Sequence, residues 1–254
     1  MRFAVFSDIH SNLEGLQAVL EEAERRGVDA LLCCGDIVGY GADPNACVGL
    51  VRETGARCIQ GNHERGLREL DEGLEPNMNP VAMEALHFTR AALGDDHREW
   101  LLSLPEELAV EDSLYLFHGS PADPDEYVFD SFDAAYALKA LAFEYPPPAN
   151  FLCFIGHTHV CAAYAFDAEN HRVGEKAVGG GDRFLVKPGA HYMFNAGSCG
   201  QYRGGLPVAT LCIMDADEMN VEFRFLRYDV AAAQAKIVAA GLPVSLARRL
   251  GMGQ

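Results

Sequence analysis

The sequence predicts an α/β fold built as a single domain over residues 1–254. Three observations carry this. Short apolar runs and amphipathic helical runs alternate three times within the first 60 residues, a pattern that builds parallel strand pairs. Hydrophobic residues make up 49% of the chain, enough for a packed core, which excludes global disorder. No internal repeat or linker-like break divides the chain, and 254 residues lie within the reach of one α/β domain.

Arg2 to Ser7 reads as a short buried strand. Ser11-x-x-Glu14 reads as a capping box for a helix from Asn12 to Arg26, with Leu13, Leu16, Val19 and Leu20 on one face and Gly27 as its stop. Ala30 to Cys34 is a second apolar strand. Asp43-Pro44 supplies the cap and first position of a helix reaching Thr54, and Arg57 to Gln60 is a third strand. Residues 62–104 read as helical, broken by Pro76 and Pro80. Leu108 to Phe117 reads as a hairpin turning near Glu111-Asp112-Ser113. A helix over Phe132 to Phe143 ends at Pro146-Pro147-Pro148, an extended surface segment, and Phe151 to Ile155 is another buried strand. From Val160 to Phe225 the pattern is strands and turns, with Gly179-Gly180-Gly181 expected as a mobile loop. Asp229 caps an Ala-rich helix ending at Gly241, and Pro243 starts a short terminal one.

Acidic residues number 37 against 20 Lys and Arg, for a net charge of −17. This speaks against a nucleic-acid polymer, which wants a basic face that displaces counterions. A small anion remains compatible, because a bound metal reverses the local field. No run of about 18 apolar residues exists, so no membrane-spanning helix is expected. The eight Cys residues form no Cys-x-x-Cys pair, and several sit in apolar runs. They read as buried thiols in a reducing cytoplasm, and no signal peptide precedes the first strand.

Five short motifs each follow an apolar run: Asp8-Ile9-His10, Gly35-Asp36, Gly61-Asn62-His63-Glu64, His118-Gly119 and Gly156-His157-Thr158-His159. The carboxyl ends of parallel strands share one sheet edge, where α/β folds bind ligands, so these motifs can converge. Asp and His are ligands for first-row divalent cations. The one-residue spacing in Asp8-x-His10 lets both side chains reach one ion, and His157-x-His159 repeats it. Singly, each motif has a plain structural reading as a turn, a helix cap or a core histidine. Two imidazoles at one strand end are costly unless used, and the five motifs together define a candidate site. His87, His97, His171 and His191 lie in helical, loop or solvent-like contexts and receive no role.

The ordered set Asp-x-His, Gly-Asp, Gly-Asn-His-Glu, His, Gly-His-x-His resembles the calcineurin-like metallophosphoesterases. The tract Asn195 to Gln201 resembles the Asn-Pro-Gly-Ser-Val-Gly segment of the family's small bacterial and archaeal phosphodiesterase branch, with Ala196 and Cys199 as departures. The resemblance implies a four-layer αββα sandwich of two mixed sheets flanked by helices. It implies one metal held by Asp8, His10, Asp36 and His159, and a second held by Asp36, Asn62, His118 and His157, with Asp36 bridging. His63 is then no ligand but faces the phosphoryl group.

The function implied is hydrolysis of a small phosphodiester, nucleotide or phosphomonoester by metal-bridged hydroxide, with Asp36 and His63 as catalytic residues. Its cofactors are two divalent ions, Mn, Fe, Zn or Ni. Gly35 and Gly61 would let the backbone pass close to the ions. Glu64 reads either as orienting an imidazole or as a solvated acid at a helix start. Tyr40 and Arg203 are candidate substrate contacts that also read as a packing tyrosine and a surface cation. Asn12 reads as a phosphate contact or simply a helix cap. The alternatives are a non-catalytic scaffold of the same fold and a protein phosphatase. Gly35-Asp-Ile-Val-Gly-Tyr-Gly41 lacks the Asp-Arg of the protein phosphatases, which weakens the latter. No P-loop is present.

Overall fold

The computed structural model describes residues 1–111, 114–144, 151–167 and 172–254. The centre of the expected hairpin turn (112–113), the proline run (146–148) and His171 lie outside them. The chain opens with β1 (Arg2–Phe6), α1 (Leu13–Arg26), β2 (Ala30–Cys33), α2 (Pro44–Glu53) and β3 (Arg57–Cys58). The helices α3 (Asn62–Asp71), α4 (Pro80–Ala92) and α5 (Asp95–Ser103) follow. Next come β4 (Leu108–Glu111), β5 (Leu114–Leu116), α6 (Ser131–Glu144) and β6 (Phe151–Ile155). The strand-rich part holds β7 (Cys161–Asp167), β8 (Arg172–Ala177), β9 (Arg183–Leu185), β10 (His191–Ala196), β11 (Ala209–Asp215) and β12 (Asn220–Leu226). The helices α7 (Val230–Ala239) and α8 (Val244–Met252) close the chain.

The strands form two six-stranded sheets, ordered β3-β2-β1-β11-β12-β9 and β4-β5-β6-β10-β7-β8. Both are mixed. β1, β2 and β3 pair in parallel, as the early alternation predicts, and so do β5, β6 and β10. The remaining pairs are antiparallel. Side chains alternate between faces along a strand, so each strand feeds two layers. Ala4 and Phe6 of β1, with Leu211 and Ile213 of β11, pack against α1 and α2. Phe3, Val5, Cys212 and Met214 point the other way and meet Leu152, Phe154 and Phe194 of the second sheet. The far face of that sheet, with Phe151, Cys153 and Met193, is covered by Ala134, Leu138 and Leu141 of α6. These three cores give the four expected layers: helices, sheet, sheet, helix.

Local details depart from expectation in three places. Helix α1 is capped by Asn12, whose Oδ1 accepts from Gly15 N at 3.0 Å. Ser11 cannot cap it, because it lies in a left-handed turn (φ 53°) of the loop leaving β1. Glu14 accordingly turns away to Lys236 Nζ at 2.6 Å. The Gly179–Gly181 tract is a bonded turn rather than a free loop: Gly181 N donates to Phe223 O at 2.7 Å and Asp182 N to Gly179 O at 3.1 Å. His191 opens β10 and is buried, against the solvent-like context expected for it. Its ring lies among Phe151 and Phe166. All eight cysteines are buried and free, and burial raises the thiol pKa of Cys153, Cys161 and Cys199.

Candidate metal centre

The five motifs follow β1, β2, β3, β5 and β6, the parallel-paired strands of the two sheets, so they meet at one rim of the sandwich. Backbone bonds lace the loops together: His10 N to Asp36 O (2.9 Å), Gly156 N to His118 O (2.9 Å) and Gly200 N to Asp8 O (2.9 Å). His157 N donates to Asp8 Oδ2 at 3.0 Å, joining one sheet to the other. The rim is strained. Of eight non-glycine residues at positive φ among the described residues, seven lie here: Asp8, His10, Ser11, Asp36, Tyr40, His157 and His159. Left-handed backbone is unfavourable for side-chain-bearing residues and persists only where the surroundings over-determine it.

Four imidazoles are oriented by the same device. His10 Nδ1 donates to Val38 O (3.1 Å), His118 Nδ1 to Cys34 O (2.7 Å), His159 Nδ1 to Gln201 O (2.7 Å) and His157 Nε2 to Asp125 O (3.2 Å). A carbonyl only accepts, so the nitrogen facing it carries the proton and the inward nitrogen is free to ligate. The inward nitrogens converge in pairs. His10 Nε2 and His159 Nε2 are 2.9 Å apart, and His118 Nε2 and His157 Nδ1 are 3.1 Å apart.

Asp36 lies between the pairs, its Oδ2 3.6 Å from His10 Nε2 and 3.4 Å from His118 Nε2. Asp8 Oδ1 sits 3.2 Å from His159 Nε2 and 3.7 Å from His10 Nε2. Asn62 Oδ1 approaches His118 Nε2 at 3.2 Å. Two compact groups result, Asp8-His10-His159 and Asp36-His118-His157, each with its ligating atoms within 4.8 Å of one another. A third grouping, His10-Asp36-His63, also meets that distance. His63, expected to be no ligand, packs edge-on against His10 and Tyr40, with ring centroids 4.7 Å from each.

Glu64 corrects both sequence readings. It is fully buried and touches no imidazole through a hydrogen bond among those described. Its Oε2 accepts from Asp36 N (2.9 Å) and Gly61 N (2.8 Å), and its Oε1 from Ile37 N (2.9 Å) and Val38 N (3.2 Å). One carboxylate thus shapes the turn that presents Asp36. Gly61 is required beside it, since a Cβ there would lie 2.1 Å from Asp36 Oδ1.

Charge explains what the arrangement can hold. Burial would raise the Asp8 carboxyl pKa, but His159 and His10 keep it well below the usual range. Burial likewise opposes ionisation of Asp36, which His118 and His63 overcome. Burial opposes a charge on His118, yet Asp36 holds its pKa up at about 9. Burial pushes His63 and His157 down to about 3, and His159 down to about 4. Two carboxylates kept ionised by the surrounding imidazoles therefore line a dry cage. Asp8 Oδ1 is buried and accepts no hydrogen bond. A buried carboxylate oxygen without a partner is costly, and a cation supplies one. This set of two carboxylates, an amide oxygen and inward imidazoles fits a pair of divalent cations.

The softer candidates fall into two groups. Asn12 is spent on the fold: beyond its cap, its Nδ2 donates to Gly200 O at 2.7 Å. Tyr40 is buried with its ring 4.6 Å from that of His10, and Arg203 Cζ lies 6.0 Å from the centre of the Tyr40 ring. Both therefore flank the His10–His159 side. The sequence reading missed Tyr127, whose ring stacks on His157 at 3.8 Å between centroids. No motif or spacing marks it, because a loop of its own, residues 118–130, carries it there. The carbonyls of Val38, Cys34, Gln201 and Asp125 were equally invisible, since any residue type supplies one.

The fold and this constellation are those of a metallophosphoesterase. The chain belongs to the calcineurin-like phosphoesterase superfamily, whose domain matches residues 1–219. It is similar to a metallophosphoesterase from Sphaerobacter thermophilus, with 36% identity, all of both chains covered and a TM-score of 0.85. It is 34% identical over 256 residues to an uncharacterized protein of Methanocaldococcus jannaschii, covering 99% of this chain and 98% of that one. A hypothetical protein from Pyrococcus horikoshii OT3 shares the fold, with a TM-score of 0.77 at 19% identity over 100% and 98% of the two chains.

Proposed function

We propose that the protein is a single-domain, metal-dependent phosphoric ester hydrolase acting on a small phosphodiester, nucleotide or phosphomonoester. Asp8, His10, Asp36 and His159 would hold one divalent cation, and Asp36, Asn62, His118 and His157 the other, as Mn, Fe, Zn or Ni. The observation that carries this reading is the set of four imidazoles turned by backbone carbonyls so that their ligating nitrogens meet in pairs about one aspartate. When bound, such cations polarise phosphoryl oxygens and lower the pKa of a water, so that a nucleophile forms near neutral pH.

The chain's own residues do the rest. Asp36, ionised and between the pairs, sets their separation. A Cβ on Gly39 would sit 2.0 Å from His63 Nδ1, so that nitrogen is walled in. His63 Nε2 is the atom left to donate a hydrogen bond to the leaving oxygen. Arg203, anchored on Gln201 Oε1 at 3.1 Å, and Tyr40 supply a cation and a hydroxyl for the phosphoryl group. The retention of all these side chains supports an enzyme over a non-catalytic scaffold. No helix among the described residues is long and apolar enough to cross a membrane, and with eight buried thiols this supports a cytoplasmic location.

The test is turnover of the manganese-loaded protein on phosphomonoesters, phosphodiesters and dinucleoside polyphosphates, with elemental analysis alongside. Asp36→Asn should abolish turnover and bind fewer ions; near-normal turnover in that variant would remove the bridging role. Inactivity of the fully loaded wild type across the panel would favour the scaffold.

A further inference from the structure

The phosphoesterase reading assigns the ions and the phosphoryl group but leaves one wall of the site unused. A cleft of about 210 Å³ opens beside the His118–His157 pair and is lined by Asn62, Arg65, Met78, Asp125, Tyr127 and His157. It thus shares two of its walls with the metal cage. Its volume lies below the ~300–1,000 Å³ usual for drug-sized ligands, which suits a single ring system. A second cleft of about 770 Å³, lined by Leu20, Ala23, Leu31 and Leu50 among others, includes none of the clustered His and Asp side chains.

Of two exposed aromatics here, Tyr127 lines the small cleft and Phe129 lies against Tyr127. Tyr127 is 47% and Phe129 61% exposed. The two rings lie parallel within 4° at 5.6 Å, and Tyr127 is itself stacked on His157. Exposed aromatic surface of this kind loses free energy in water and gains it against a flat partner. The shelf is built rather than floppy. Arg65 of α3 forms an ion pair with Asp125 and also donates to Pro124 O (3.3 Å). Ser120 N donates to Asp123 O (2.9 Å), and Tyr164 Oη to Val128 O (3.3 Å). Asp125, Asn77 and Glu69 place hydrogen-bonding groups around the same cleft.

We propose that Tyr127 and Phe129 form the binding shelf for a nucleobase attached, through its sugar, to the phosphate held at the metal cage. The inference rests on the phosphoesterase reading for the position of that phosphate. The substrate class it names is a small nucleotide ester, with Tyr127 as the residue that distinguishes it from a sugar phosphate.

The test compares two hydrolysis-resistant phosphonates, the analogues of AMP and of ribose 5-phosphate, by calorimetry on the manganese-loaded protein. Stacking of a base on an aromatic side chain is worth ~1–3 kcal/mol, so the AMP analogue should bind about 5–150-fold tighter. In Tyr127→Leu that ratio should fall to about one, and in Tyr127→Phe it should be kept. Equal binding of the two analogues by the wild type, or an unchanged ratio in Tyr127→Leu, overturns the shelf. Turnover of simple phosphodiesters without base preference also overturns it while leaving the phosphoesterase reading intact. A base preference that follows Tyr127 in a protein inactive on every ester supports the shelf and removes the phosphoesterase reading instead.

Discussion

Replacing Glu64 by Gln changes one atom in a fully buried side chain and tests how the Asp36 turn is held. Gln keeps one acceptor oxygen, so two of the four amide bonds survive. The other two N–H groups then face an NH₂ donor. Which pair is lost matters little energetically, since Oε2 serves Asp36 N and Gly61 N while Oε1 serves Ile37 N and Val38 N. Hydrogen bonds to a charged group are worth about 1.5–3 kcal/mol each, so the substitution should cost about 3–6 kcal/mol. At roughly 2–4 °C per kcal/mol for a chain of this size, the melting temperature should fall by about 6–24 °C. Circular dichroism melts of wild type and Glu64→Gln, with and without manganese, read this directly. The variant should also gain less from manganese, because the turn no longer presents Asp36 in one place. An unchanged melting temperature with two ions still bound would refute the reasoning.

His63→Ala should retain both ions and lower turnover by about 10²–10⁴, the usual contribution of a positioned acid or base. Loss of an ion in elemental analysis would show instead that the His10-Asp36-His63 grouping ligates. Gly39→Ala should be nearly as damaging to turnover without touching a ligand, because its φ is +91° and the new Cβ would strike the His63 ring. A thermal melt should show a loss of about 1–3 kcal/mol, and normal turnover would show that His63 can move aside. Glu222 is held below its usual pKa first by its hydrogen bond to Arg26, against burial, with Arg183 contributing. Its stabilising effect is therefore present above the unfolded carboxyl value near 4.5 and lost as pH falls through the lower folded value. Urea unfolding should find Glu222→Gln less stable than wild type at neutral pH, with the gap closing in acid; a constant gap would refute the linkage.

What was legible in the sequence was periodicity and residue type. The unbroken apolar run Phe3-Ala4-Val5-Phe6 announces a buried strand, and the structure sends Phe3 and Val5 one way and Ala4 and Phe6 the other. The convergence of Asp8, His10, Asp36 and His157 is equally legible, because residues that follow parallel strands share one sheet edge. What could not be read was backbone conformation. Ser11-x-x-Glu14 satisfies a capping pattern, yet the left-handed turn after β1 gives the cap to Asn12. Residue type suggests for Glu64 an acid serving a side chain or water, whereas its partners are amides contributed by residues of any type. Tyr127 was missed for a related reason: it reaches His157 through a loop whose shape is set by its own internal bonds.

The cage is also closed by parts of the chain that are far apart. His10 and His159 meet across 149 positions, and the carbonyl that orients His159 comes from Gln201. A denatured chain offers only scattered pairs such as Asp8-x-His10, so capture of the proposed cations would discriminate strongly between the folded and denatured ensembles. By mass action, an ion supplied at 100 times its dissociation constant would add about 2.7 kcal/mol to global stability. A chelator would then act on this protein as a mild denaturant, and growth conditions that starve it of metal would lower its abundance as well as its activity.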